Sequence, residues 1–308
     1  MAAEDGLVIG VDLGGTKIEA VVARRAASGD APLSVVSRRR VPTAAERGYT
    51  AVLRAAAQLI EEAALAAGLD LSRVPIGVGL PGGVTRRGGL VKNANAVCLN
   101  GRPFRADLEE ELGRPIAFDN DANCFALAEA RLGAGRGHQD GIVFGAILGT
   151  GVGGGVVVRG ELWPGAQGIA GEWGHHVLVQ GGRACYCGAR GCLERYLAGP
   201  AVEADYAERS GTRRALSEIA ARRAHDAHAA AAIEGLVEAF GRGVANLIAV
   251  LDPSAIVLGG GVSNLALLYD EGVMRVARHV FNDELTTPIV KHALGDSAGV
   301  LGAALIAR

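Results

Sequence analysis

Residues 7–22 read LVIGVDLGGTKIEAVV, and residues 142–158 read IVFGAILGTGVGGGVVV. In each stretch a buried-strand pattern breaks at a glycine turn, Gly14-Gly15-Thr16-Lys17 in the first and Gly149-Thr150-Gly151 in the second, then resumes as a strand. A strand, a glycine turn and a return strand predict a hairpin whose backbone N–H groups can face a phosphate. One copy reads equally well as a plain glycine hairpin. Two copies imply two similar half-molecules facing one phosphate chain. Asp12, at the end of the first strand, is a hard oxygen ligand suited to a phosphate's Mg²⁺. A third cluster, Gly259-Gly260-Gly261, follows the apolar strand Ile256-Val257-Leu258, where a backbone can pass close under a nucleotide. The chain has no G-x-x-x-x-G-K-[ST], and no G-x-G-x-x-G opens a helix with an acidic residue at the right distance. Walker and Rossmann sites are therefore disfavoured.

Between the hairpins the pattern alternates helix and strand. Residues 51–67 place Val52, Ala56, Leu59, Ile60 and Ala63 on one helical face and stop at Gly68. The strand Ile76–Leu80 ends in Pro81-Gly82-Gly83, whose small residues admit a ligand to the backbone. Asn93, Asn95 and Asn100 lie in a polar loop, where hydroxyl recognition and turn chemistry are both open readings. A strand then enters a helix at Asp119-Asn120-Asp121-Ala122-Asn123. A carboxylate at that point lies where α/β sheets bind ligands, although Asp121 and Asn123 also suit helix N-caps. Residues 230–252 form a long apolar helical pattern in which Gly235, Gly241 and Gly243 are expected at close helix contacts. Arg38-Arg39-Arg40 reads as a solvated strand face.

The most specific stretch is Gly171–Glu194, GEWGHHVLVQGGRACYCGARGCLE. Cys185, Cys187 and Cys192 with His175 offer the four ligands of a tetrahedral structural Zn²⁺. Gly188 and Gly191 suit a loop curled tightly around one ion. Buried thiols or a disulfide are the alternatives. A disulfide would leave one of the three cysteines odd. Closing the loop on a metal pins Glu172 and Glu194 near His175, and the second nitrogen of a zinc-bound imidazole normally takes another partner.

With 308 residues, 49% hydrophobic and 21% charged, the chain predicts an ordinary globular protein of two domains. A net charge of −2 does not favour nucleic acid or an anionic membrane as partner. No long apolar span and no signal-type N-terminus is present. A cytoplasmic protein with reduced thiols is expected.

Taken together, Gly10–Thr16, Gly79–Gly82, Asn120–Ala122, Gly149–Gly151, Gly171–His175, Cys185–Glu194 and Gly259–Gly261 resemble the successive motifs of the ROK family of sugar kinases and repressors. The resemblance implies the α/β, actin-like (RNase H-like) ATPase fold with two α/β domains around a central cleft. The expected domains are 1–120 with about 290–308, the last helix returning to the first domain, and 121–289. It further implies an ATP-dependent hexose kinase using Mg²⁺ and structural Zn²⁺, active on a 6-hydroxyl, and a homodimer.

Asp121 is then the catalytic base. Asn95, Asn120, Asp121, Glu172, His175 and Glu194 bind the sugar, and His175, Cys185, Cys187 and Cys192 bind zinc. Gly14, Gly15, Thr16, Lys17, Gly149, Thr150 and Gly151 hold phosphates, Gly259, Gly260 and Gly261 the nucleoside, and Asp12 the Mg²⁺. The stretches LVKNANAVCLNGRPF, AGEWGH, GGGVSN and GDSAGVLGAA look most like the fructokinase (manno/fructokinase) branch, so fructose is the first expected substrate. N-acetylglucosamine, glucose and mannose follow, and a sugar sensor without turnover is the reading from another class. Family repressors carry an N-terminal helix-turn-helix domain, whereas the first strand here is expected from about residue 7.

Overall fold

The computed structural model describes residues 6–25, 33–85, 87–94 and 96–308. It divides into two compact units, residues 1–133 with 294–308, and residues 134–293.

In the first unit, strands β1 (Leu7–Leu13), β2 (Lys17–Arg24) and β3 (Ser34–Pro42) form an antiparallel meander. Helix α1 (Tyr49–Ala66) leads to β4 (Ile76–Leu80), which pairs parallel with β1. A small ribbon of β5 (Gly83–Val84) and β6 (Val91–Lys92) precedes helix α2 (Phe104–Leu112). Strand β7 (Ala117–Asn120) pairs parallel with β4 and runs directly into helix α3 (Asp121–Leu132). The sheet order is β3-β2-β1-β4-β7. Its inner positions carry a near-continuous apolar run, as a sheet covered on both faces requires. Ile9, Val11, Leu13, Ile18, Val78 and the apolar stripe of α1 close one face.

The second unit repeats the plan. Strands β8 (Ile142–Leu148), β9 (Val152–Val158) and β10 (Glu161–Leu162) form the meander. The chain passes through α4 (Glu194–Leu197), α5 (Gly199–Ser210), α6 (Leu216–Arg222) and the long α7 (Ala227–Leu251) to β11 (Ala255–Gly259). Helix α8 (Glu271–Ala277) then precedes β12 (Ile289–Lys291), and the sheet order is β10-β9-β8-β11-β12. The duplication implied by the two glycine hairpins is thus a duplication of whole sheets. Gly241 and Gly243 of α7 lie where a Cβ would meet Arg275 of α8 and Leu193. Gly235 faces open space, so only two of the three glycines make the close contact the sequence suggests.

The last helix, α9 (Ala298–Ile306), belongs to the first unit. Val300, Ala304 and Ala307 pack on Val8 and Val21, on the face of the sheet opposite α1. A Cβ on Gly10 would lie 2.5 Å from the Ala304 nitrogen, and one on Gly77 would lie 1.9 Å from the Ala303 carbonyl oxygen. Gly302 makes the same approach to the Cys124 carbonyl of α3, at 1.9 Å. Because α3 packs on α9, the boundary falls at 133/134 and 293/294 and not at the expected 120/121 and 289/290. Arg38, Arg39 and Arg40 are exposed, as expected of a solvated strand face, and Arg38 and Arg40 also have a buried partner. Both point their guanidinium groups at the buried carboxylate of Glu19 on the neighbouring strand.

Replacing Gly77 by Ala forces backbone apart at a contact with no room to give. Overpacking of this kind costs about 1–3 kcal/mol. Thermal melts of Gly77→Ala are expected to show a clear drop in Tm, whereas Gly235→Ala, with open space at its Cβ, should hold or raise it.

Candidate active site

The first unit gathers carboxylates around the C-terminal ends of β1 and β7. The hairpin after β1 is closed by the Gly14 N–H donating to the Lys17 carbonyl at 2.9 Å, and the Thr43 hydroxyl donates to the Gly14 carbonyl at 2.7 Å. That leaves Gly15 and Thr16 exposed at the tip. Asp12 stands at the hairpin's base, next to the first turn of α9. A Cβ on Gly299 would come within 2.7 Å of its Oδ2. Burial, then the Glu19 carboxylate, push the Asp12 acid up to about 6 against the pull of Lys17. A divalent cation beside it would reverse that penalty.

Asn120 is the N-cap of α3. Its Oδ1 accepts from the Asn123 N–H at 2.6 Å, which leaves its amide nitrogen as the side-chain donor for a ligand. Asp121 is the first helical residue, where the helix dipole favours an anion. One of its oxygens accepts from the Ala122 N–H at 2.8 Å. Asp119 accepts from the Asn123 side-chain amide at 2.7 Å and from the Asn120 N–H at 2.8 Å, and burial raises its pKa. Burial, and then the carboxylates of Asp119, Asp12 and Asp121, raise the pKa of the Cys124 thiol, which places all three acids around one buried point. The capping role open to Asp121 in the sequence therefore falls to Asn120. Asn95 lies outside the described residues. Asn100 does turn work, accepting from the Ala94 N–H at 2.9 Å and donating to its carbonyl at 3.2 Å, while Asn93 sits at φ 58°.

The second unit assembles a different set. Its hairpin is closed by the Gly149 N–H to the Gly151 carbonyl at 2.9 Å, and Thr150 is exposed at the tip. Gly260, at φ 81°, passes so close under β8 that a Cβ would sit 2.4 Å from the Leu148 carbonyl oxygen. The third glycine cluster is thereby brought against the base of the second hairpin, where only glycine fits. Glu194, buried at the start of α4, accepts from the Val152 N–H at 2.8 Å and anchors the end of the cysteine loop to β9.

Within that loop the ligand atoms of His175, Cys185, Cys187 and Cys192 lie within 4.8 Å of one another. Cys187 Sγ is 3.5 Å from Cys192 Sγ, and His175 Nδ1 is 3.7 Å from Cys185 Sγ. Bonds of about 2.3 Å to sulfur and 2.0 Å to nitrogen give tetrahedral edges of roughly 3.5–3.8 Å. The donor set fits Zn²⁺. All five cysteines are free thiols. Burial pushes Cys192 up to about 12, while the Ala189 backbone pulls Cys187 down. Gly188 and Gly191 take φ of 93° and 82°, the left-handed turns expected of them.

Three residues near these groups escape sequence reasoning. Glu19, 1% exposed, receives Arg40 Nε at 2.8 Å, Arg38 at 3.3 Å and Lys17 Nζ at 3.8 Å. It faces Asp12 across the hairpin in the register Asp12↔Glu19, a pairing legible once the turn is located. Gly299 and Tyr186 have no comparable signal, since their neighbours come from elsewhere in the chain.

The pattern of the ROK family matches residues 8–308. The chain is 36% identical to an N-acetyl-D-glucosamine kinase of Aliivibrio salmonicida (strain LFI1238), over 96% of this chain and 98% of that protein. Its structure is similar to that of a ROK hexokinase from Thermus thermophilus, with TM-score 0.85, 38% identity and coverage of 98% and 97% of the two chains. A ROK family glucokinase from Streptomyces griseus, solved with glucose and AMPPNP, has TM-score 0.77, 31% identity and coverage of 98% and 99%.

A buried acid whose folded-state pKa is raised stabilises the fold only while protonated, so its contribution is complete below pH 4 and lost as pH rises through about 6. Asp12→Asn removes that charge. Thermal melts should show the variant more stable than wild type at pH 8 and nearly equal to it below pH 4.

Proposed function

Because the chain belongs to the ROK family and is an ATP-dependent sugar kinase, we propose that it phosphorylates the 6-hydroxyl of N-acetyl-D-glucosamine, with glucose and mannose as secondary substrates. Its fold is the actin-like ATPase fold. The fructose expected from the sequence motifs gives way to an N-acetylhexosamine. The supporting observation is that full-length relatives from Aliivibrio salmonicida and Vibrio cholerae, each 36% identical, are N-acetyl-D-glucosamine kinases.

Asp121 is the general base in this reading. The observation that carries it is a carboxylate on the first turn of α3, with one oxygen held by the Ala122 N–H. The other oxygen takes the proton of the sugar hydroxyl as the hydroxyl oxygen attacks the γ-phosphorus of ATP, and the bond from that phosphorus to the β,γ-bridging oxygen breaks to release ADP. Phosphoryl transfer asks little covalent chemistry of the protein, and positioning carries most of the rate. Asn120 donates its amide, and Glu172, His175 and Glu194 bind further sugar hydroxyls. The hairpin amides at Gly14–Lys17 and Gly149–Gly151 bind phosphate oxygens, and Gly259–Gly261 line the nucleoside. Asp12 would hold Mg²⁺, which would supply charge neutralisation for the transferring phosphate. His175, Cys185, Cys187 and Cys192 would hold Zn²⁺, which would close the loop, fix the His175 ring and, with four protein ligands, play a structural part.

A coupled ADP-release assay over fructose, N-acetylglucosamine, glucose and mannose tests the substrate. N-acetylglucosamine is expected to give the highest kcat/KM, and a clear preference for fructose would overturn the assignment. Asp121→Asn in the same assay should lose about 10²- to 10⁴-fold in kcat while sugar binding persists. A variant keeping more than about a tenth of the rate would remove Asp121 from the base role.

Elemental analysis should find about one zinc per chain. Cys187→Ser should lose it, melt at lower temperature and raise the KM for sugar more than that for ATP. A fully active, zinc-free preparation would overturn the metal assignment.

A further inference from the structure

Tyr186 sits between two of the thiol ligands, yet its hydroxyl reaches across the loop to the groups assigned to the sugar. Its oxygen lies 3.1 Å from His175 Nε2, and its ring stands edge-on to the imidazole at 5.2 Å and 89°. The Glu194 carboxylate lies near the same phenol and is itself held by the Val152 N–H at the second glycine hairpin. The protons can be assigned. His175 turns Nδ1 toward Cys185 Sγ, so Nε2 carries the hydrogen and donates it to the phenol oxygen.

A sugar hydroxyl has the same inventory as this phenol, one donor and one acceptor oxygen, and could accept the same bond from His175. The phenol and a sugar hydroxyl then compete for one position. Tyr186 is 63% exposed, so its ring can rotate into solvent without opening the core.

We propose that the Tyr186 hydroxyl is a latch that satisfies His175 in the sugar-free protein and is displaced by a sugar hydroxyl on binding. The latch rests on the sugar-site reading given above and adds a positioning residue to it. It keeps an oriented imidazole paired while the site waits. It also selects against ligands that cannot accept from His175, because these leave that polar group unpaired.

The test is Tyr186→Phe, which keeps the ring on His175 and removes only the hydroxyl. Calorimetric titration with N-acetyl-D-glucosamine and with D-glucose should give a Kd about threefold to tenfold lower than wild type, the worth of one hydrogen bond no longer broken. The zinc content and the KM for ATP should not change. Sugar should perturb the tyrosine absorption of the wild-type protein and not that band in the variant. A Kd that rises makes Tyr186 a direct sugar ligand and overturns the latch, as does a Kd within twofold of wild type. Glu172→Gln, a sugar ligand outside the latch, is titrated beside it. Lost binding there with unchanged affinity in Tyr186→Phe overturns the latch and leaves the sugar site standing. Wild-type binding in Glu172→Gln overturns the sugar site and the latch together.

Discussion

The contact of α9 with the first sheet closes to backbone distance at two strand glycines. Gly10 and Gly77 on the strands lie directly under backbone atoms of the helix, and Gly302 on the helix lies under the backbone of α3. Four elements, β1, β4, α3 and α9, are held at backbone distance by the absence of three Cβ atoms. The geometry of the first unit's carboxylates follows. Gly299 places the first turn of α9 against Asp12, and the α3–α9 contact carries Asp119 and Asp121 into the same neighbourhood as Asp12, around Cys124. Burying three acids near one point is costly unless a cation or a proton shares the site. The raised pKa of Asp12 is the local expression of that cost.

The second unit reaches its precision by another route. Its candidate sugar groups sit on irregular chain between β10 and α4, with little helix or strand to hold them. Among the constraints that replace regular structure there are the cluster of His175 with three thiols, the two left-handed glycines Gly188 and Gly191, the bridges Val177↔Cys192 and Ala184↔Arg190, and the bond from the Val152 N–H to Glu194. Gly191 shows how tight the fold is, since a Cβ would lie 1.7 Å from the Val179 carbonyl oxygen. Catalytic groups on loops need such support, because a displacement of about 1 Å can cost a hundredfold in rate.

The hairpin glycines, the thiol spacing and the entry of Asp119–Asn123 into a helix were all legible in the sequence, because each is set by neighbours a few residues away. The same locality explains where the reading stopped. Asp121 and Asn123 both suited N-caps by sequence, whereas the observed cap is Asn120, whose side chain accepts from the Asn123 N–H. The arginines of β3 are exposed as the sequence suggests, but their shared partner, Glu19, was not legible because β2 supplies it through strand pairing.

Residue chemistry at short range was thus determined by the sequence alone: two phosphate-type hairpins, a tetrahedral donor set, a carboxylate at a helix start, and with them the family. Tertiary structure decided which groups share a neighbourhood. Gly299 beside Asp12, Glu19 beneath three cations and Tyr186 against His175 each join residues through packing or a closed loop. Period and propensity describe how a segment presents its own side chains, and they carry no record of which distant segment will be folded against it.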